Sequence, residues 1–210
     1  MVADWSIECS ADDPVLVVPW FAAEAGVTAD PGLGDFIDLR ENPYDLDLIP
    51  EAELYPPLMQ ALRALNAPRS AVFTAKCDAW VLNEEELEQL RHHLDIIDDA
   101  HEDGSTDTSA GFASYIDLIW RDRTIFASFH QSEQLLHRLA RIAGSIDQRS
   151  AMLDCVLRPA LIDLTGPQEG FAITLYIKAL GPDLFTAKQE WSAALEAMVS
   201  LLRSKDVSLG

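Results

Sequence analysis

Two histidine and carboxylate groupings have spacings that could support chemistry. Glu133 and His137 lie four residues apart, close behind His130, and on a helix both could reach one metal ion. The helical angles oppose this. Leu135, Leu139 and Ile142 form the apolar stripe of the same segment, and at about 100° per residue His137 points about 160° away from it. Solvent exposure is therefore expected there, and for His92, which also stands opposite its own apolar stripe. Asp99, His101, Asp103 and Gly104 are spaced like the start of a calcium loop. However, His101 takes a position that needs an oxygen ligand, and Ala110 stands where a bidentate Glu should close the site. Gly32 and Gly34 begin a dinucleotide-type glycine pattern without its third glycine, and neither a Walker loop nor a Gly-x-Ser-x-Gly elbow occurs. Cys9, Cys77 and Cys155 are odd in number, widely spaced and without a Cys-x-x-Cys pair. They read as small buried hydrophobes. No metal or other cofactor is expected.

A more promising set comes from strand alternation. Successive strand residues point to opposite faces. If Phe73, Cys77, Ile116, Leu118, Ile173, Leu175 and Ile177 face a helical layer, the opposite face carries Lys76, Asp78, Trp80, Tyr115, Asp117, His130, Arg158, Tyr176 and Lys178. Thr74, Phe126, Ser128, Asp154, Asp163 and Thr174 fall in with them. Aromatic rings provide rigid contact area and the charges provide orientation, which is the make-up of a binding face. Cross-strand Lys–Asp and aromatic–Thr pairs also stabilise a sheet by roughly 0.2–1 kcal/mol each, so the same residues suit a purely structural role. The leading expectation is a non-catalytic interaction or assembly module that uses this face for a second copy or a protein partner. The alternative is a small-molecule-binding protein or enzyme. In that case His130 is the acid/base, Asp78 or Asp117 orients it, and Lys76, Arg158 or Lys178 holds an anionic group.

Positioning these residues requires a sheet that is apolar on one side. Residues 5–9 and 15–19 read as short strands around an Asp-Asp-Pro turn, with a further strand at 36–39. The stretch 42–57 holds four prolines and is irregular. Pro56 and Pro57 open a helix lined by Leu58, Leu62 and Leu65, which stops at Asn66 and Pro68. A strand follows over 71–82. Asn83 and Glu86 then form a capping box for a helix striped with Leu87, Leu90, Leu94 and Ile97. Residues 112–120 and 124–131 predict a hairpin turning at Arg121, Asp122 and Arg123, followed by a helix from Ser132 to Gly144. A second hairpin pairs 152–164 with 170–180, with a bulge at Pro159 where the apolar phase slips. Thr186 and Gln189 cap a final helix that buries Trp191, Leu195, Met198 and Leu202. The expectation is one α+β domain over 1–210. It has an acidic N-terminal portion (1–68) and a main core (71–203), in which helices pack on one face of an antiparallel sheet. From residue 71 the order is ferredoxin-like, βαββαβ, with strands added at both ends.

Charge narrows the partners. The chain has a formal net charge of -20, and residues 1–110 hold 24 of its 35 acids but only 5 of its 15 bases. Such a surface repels phosphate backbones and anionic bilayers, so neither nucleic acid nor membrane is expected as a partner. There is no basic leader and no apolar run of transmembrane length, which predicts a cytoplasmic protein.

Overall fold

Alternating apolar residues between tight turns build the long strands, and the cap residues between them build the helices. The structure, a computed structural model, describes residues 1–20, 36–94 and 109–204. Gly32, Gly34, Ile97 and the calcium-like run from Asp99 to Gly104 lie outside the described residues. The strands are β1 (Val2–Ile7), β2 (Leu16–Val18), β3 (Val72–Val81), β4 (Ala110–Trp120), β5 (Ala151–Ile162) and β6 (Gln168–Gly181). The helices are α1 (Pro50–Leu54), α2 (Pro56–Asn66), α3 (Glu84–His93), α4 (Arg123–Phe126), α5 (Phe129–Ala143) and α6 (Leu184–Leu202). This is an α+β architecture around one six-stranded sheet, ordered β1-β5-β6-β4-β3, with β2 also paired to β5.

The sheet is mixed, not antiparallel throughout. β1 and β2 both run parallel to β5, while β3–β4, β4–β6 and β5–β6 are antiparallel. Nor does the element order follow the ferredoxin-like expectation, because the segment expected as a strand over 124–131 forms α4 and the start of α5. The Asp122 carboxylate accepts a hydrogen bond from Thr124 N–H, and the Ser128 hydroxyl accepts one from Gln131 N–H. Both cap helix starts, satisfying backbone donors that a strand would have needed a partner for. The expected bulge at Pro159 is also absent: β5 and β6 keep one register across it, with Pro159 opposite Phe171. On its other edge β5 pairs with β1 as far as Leu157 and with β2 from Ala160, so the residue lacking an N–H sits between the two parallel partners. Residues 36–39 are not a strand.

The apolar face of the sheet carries α2, α5 and α6. Ile116, Leu118, Leu153, Cys155, Ile173, Leu175 and Ile177 are buried in one cluster with Leu58, Leu62, Leu135, Leu139, Trp191 and Leu195. The helices are nevertheless not confined to that face. α3, closed by the expected Asn83–Glu86 capping box, packs its Leu87 and Leu90 against Ala113, Met152 and Leu180 in a separate small cluster. By strand alternation these three share a side with Tyr115, Asp154 and Tyr176. One end of the decorated face is therefore greased and covered.

Candidate functional site

A bulge in β3 decides which side chains reach the decorated face. Thr74 pairs with Leu118 but Cys77 pairs with Ile116, so one extra residue is inserted between them. Before the bulge, Thr74 points toward the helices, where Asn66 of α2 holds it. Asn66 Nδ2 donates to Thr74 Oγ1 at 2.7 Å, and Thr74 N–H donates to Asn66 Oδ1 at 3.1 Å. Beyond the bulge, Asp78 and Trp80 sit opposite Tyr115 and Ala113 on the other side. Phe73, expected among the helix-facing residues, instead pairs with Ile119 and lies under the guanidinium of Arg40, 4.5 Å from its ring centre. Trp20 spans the bulge. Its indole N–H donates to Ala75 O at 3.4 Å, and the Lys76 ammonium stands 5.1 Å from its ring.

Lys76, Tyr115, Asp117, Arg158 and Tyr176 converge on a notch of about 310 Å³, rimmed by Pro14, Val15 and Leu16 at the start of β2. That volume lies at the lower end of small-molecule sites, which run to roughly 300–1,000 Å³. Asp117 forms the floor at 4% exposure. Its Oδ1 accepts a hydrogen bond from the Thr174 hydroxyl, and among the described residues Oδ2 receives none. Burial pushes the Asp117 carboxyl above its usual range, against the Thr174 hydrogen bond and the nearby Arg158 and Lys76 charges. Arg158 reaches Glu8 through Nη2 at 3.1 Å, yet among the described residues its buried Nε has no hydrogen-bond partner. The rings of Tyr115 and Tyr176 lie 5.9 Å apart, and Trp80 extends the row at 6.4 Å from Tyr115. Burial likewise raises the Tyr115 phenol, which stays protonated as a hydrogen-bond donor and acceptor.

The remaining expected residues fall around or away from this notch. Trp80 shares the face, and its indole N–H donates to Glu86 at 3.2 Å. Asp78 is exposed and accepts a hydrogen bond from Ala79 N–H. Lys178 is half-buried farther along β6 beside Asp154, whose carboxyl burial raises despite that cation. Phe126, Ser128 and His130 leave the group altogether, because their segment is helical. His130 is exposed on α5, and among the described residues it meets Glu133, at 3.8 Å, and Gln134, at 3.0 Å, on its own helix. The acid/base role expected of it has no support in this placement. His137 stacks on Trp5 at 4.1 Å between ring centres. Among the described residues no group of three or more His, Cys, Asp or Glu side chains could hold a metal ion. Glu8, Trp20 and the rim at 14–16 were not anticipated. They belong to an N-terminal segment whose parallel docking on β5 leaves no local mark in the sequence.

Asp117→Asn keeps the acceptor for Thr174 and removes the ionisation. Because burial holds the folded carboxyl above the unfolded one, the folded chain keeps its proton to higher pH. Stability is then lost as pH rises through that interval. The variant should therefore match the parent below the ordinary carboxylate range and melt higher at neutral pH. Melting curves recorded from about pH 4 to pH 8 test this, and a difference that does not grow with pH counts against it.

No protein-family model, curated protein or solved structure matches the chain. Among the described residues no helix is long and apolar enough to cross a membrane.

Proposed function

We propose that this protein is a binding module that captures a small organic anion, a carboxylate, in the notch between Arg158, Lys76 and the Tyr115–Tyr176 pair. The observation that carries this reading is the convergence of Arg158 and Lys76 on the notch, with the Arg158 Nε left without a hydrogen-bond partner among the described residues. A buried donor without a partner costs about 1–3 kcal/mol, and native structures rarely keep one without a use. A carboxylate in the notch would pair with the Arg158 guanidinium, which lines that space together with Lys76, and tyrosine rings lie beside it. The concavity favours a small molecule over a flat protein partner. The acidity of the chain as a whole does not oppose this, because exposed charges beyond about 8 Å are largely screened at physiological salt.

Benzoate, with benzamide as its uncharged counterpart, supplies the test. Benzoate should raise the melting temperature and broaden or shift the Tyr115 and Tyr176 ring resonances, while benzamide should do neither. Arg158→Gln and Lys76→Met should each weaken benzoate binding by about 10- to 100-fold, the loss expected when a charge-assisted hydrogen bond is removed. Equal response to benzoate and benzamide, or unchanged affinity in both variants, would overturn the reading.

A further inference from the structure

An anion in this notch would meet the Asp117 oxygen that no described residue bonds, as well as the two cations. Two carboxylates cannot share such a site while both are ionised. One proton between them turns the repulsion into a short, charge-assisted hydrogen bond. We propose that capture of the carboxylate is coupled to uptake of one proton by Asp117, so that the notch binds its ligand together with a proton and releases both together. This rests on the reading of the notch as an organic-anion site. The proton comes from solvent and forms an O–H bond at Asp117 Oδ2. No bond in the ligand is broken.

The surrounding groups leave Asp117 as the acceptor of that proton. Thr174 already occupies Oδ1, so the second oxygen is the one left to face a ligand. Arg158 on β5 and Lys76 on β3 are the cations acting on it, and Glu8, after β1, pairs with Arg158. Tyr115 on β4 stands two residues away, and Tyr176 on β6 pairs opposite Tyr115. Asp78 on β3 is exposed, and the Cys77 thiol beside it is pushed up to about 12, chiefly by burial. Asp154, with Lys178 and His93 acting on it, lies on the same face but is not part of the notch lining. A carboxyl that burial already inclines to keep its proton needs little more than an incoming negative charge to take one.

The test is calorimetric titration of the full chain with benzoate in two buffers of different ionisation enthalpy, between about pH 5.5 and 8, where benzoate stays anionic. Sulfate, ionised throughout, serves as a second probe. Wild-type protein should take up close to one proton per benzoate, and its affinity should fall about tenfold for each pH unit above the Asp117 transition. Asp117→Asn, which carries a permanent neutral donor at the same position, should bind benzoate with no proton uptake and no pH slope. Wild-type binding without proton uptake, or an unchanged slope in Asp117→Asn, would refute the coupling while leaving anion capture standing. If neither probe binds wild type or Asp117→Asn at any pH, the anion site itself is wrong and the coupling falls with it.

Discussion

Trp191→Ala is expected to lower the folding free energy by about 3–5 kcal/mol, the usual cost of truncating a fully buried Trp. Trp191 is 1% exposed on the inner side of α6. Its ring meets Phe112 edge-on at 4.8 Å and Tyr55 at 6.3 Å, and its indole N–H donates to the Ser114 hydroxyl at 2.8 Å. The substitution removes both ring contacts and leaves a hydroxyl unpaired at the centre of the sheet. For a domain of this size each kcal/mol is worth about 2–4 °C, so the melting temperature should fall by about 6–20 °C. Trp191→Phe keeps most of the ring packing and should lose about half as much. A drop of less than about 3 °C for the alanine variant would mean that this contact does not anchor α6. The consequence reaches the notch, because Phe112 and Ser114 belong to the same strand whose opposite side presents Tyr115 and Asp117.

Asn66→Ala should cost about 2–4 kcal/mol by a different route, through unsatisfied polar groups. Asn66 is buried at the end of α2. Its side chain donates to Leu62 O and to Thr74 Oγ1, and accepts from Thr74 N–H. Alanine leaves the Thr74 N–H without that acceptor in the helix-covered interior, directly ahead of the inserted residue that turns Lys76 toward the notch. The variant is expected to lose stability in urea denaturation and, while still folded, to bind benzoate less tightly than wild type. Thr74→Val keeps the backbone N–H bond to Asn66 and should cost less, leaving benzoate affinity close to wild type. If the two variants weaken binding equally, the bulge does not depend on Asn66.

The elements with strong local signals were read from the chain with little change. The Asn83–Glu86 capping box starts α3 as expected, and Pro56 opens α2 over the expected leucines. Trp191, Leu195, Met198 and Leu202 are all buried on α6, although Asp183, not Thr186, supplies its cap. The errors fall where two local readings are nearly equal in energy. Thr124, Ile125 and Phe126 have strand-forming side chains, but Asp122 and Ser128 stand where helix caps are needed, and capping prevailed. The run Val72 to Lys76 alternates equally well in either phase. Neither Gly nor Pro marks the extra residue, so alternation alone places Thr74 and Phe73 on the faces opposite to those they occupy.

Period-two alternation in β4, β5 and β6 depends only on neighbouring residues. The sequence by itself therefore determined that Tyr115, Asp117, Arg158, Tyr176 and Lys178 share one side of a sheet. What lies over that side is set by contacts between residues far apart in the chain. β1 docks parallel to β5 at a separation of about 150 residues, bringing Glu8 to Arg158 and the 14–16 rim to the notch. α3 covers the opposite end, and His130 leaves on a helix. Only the tertiary structure could decide these, because backbone pairing and burial at such distances are energies of the whole fold.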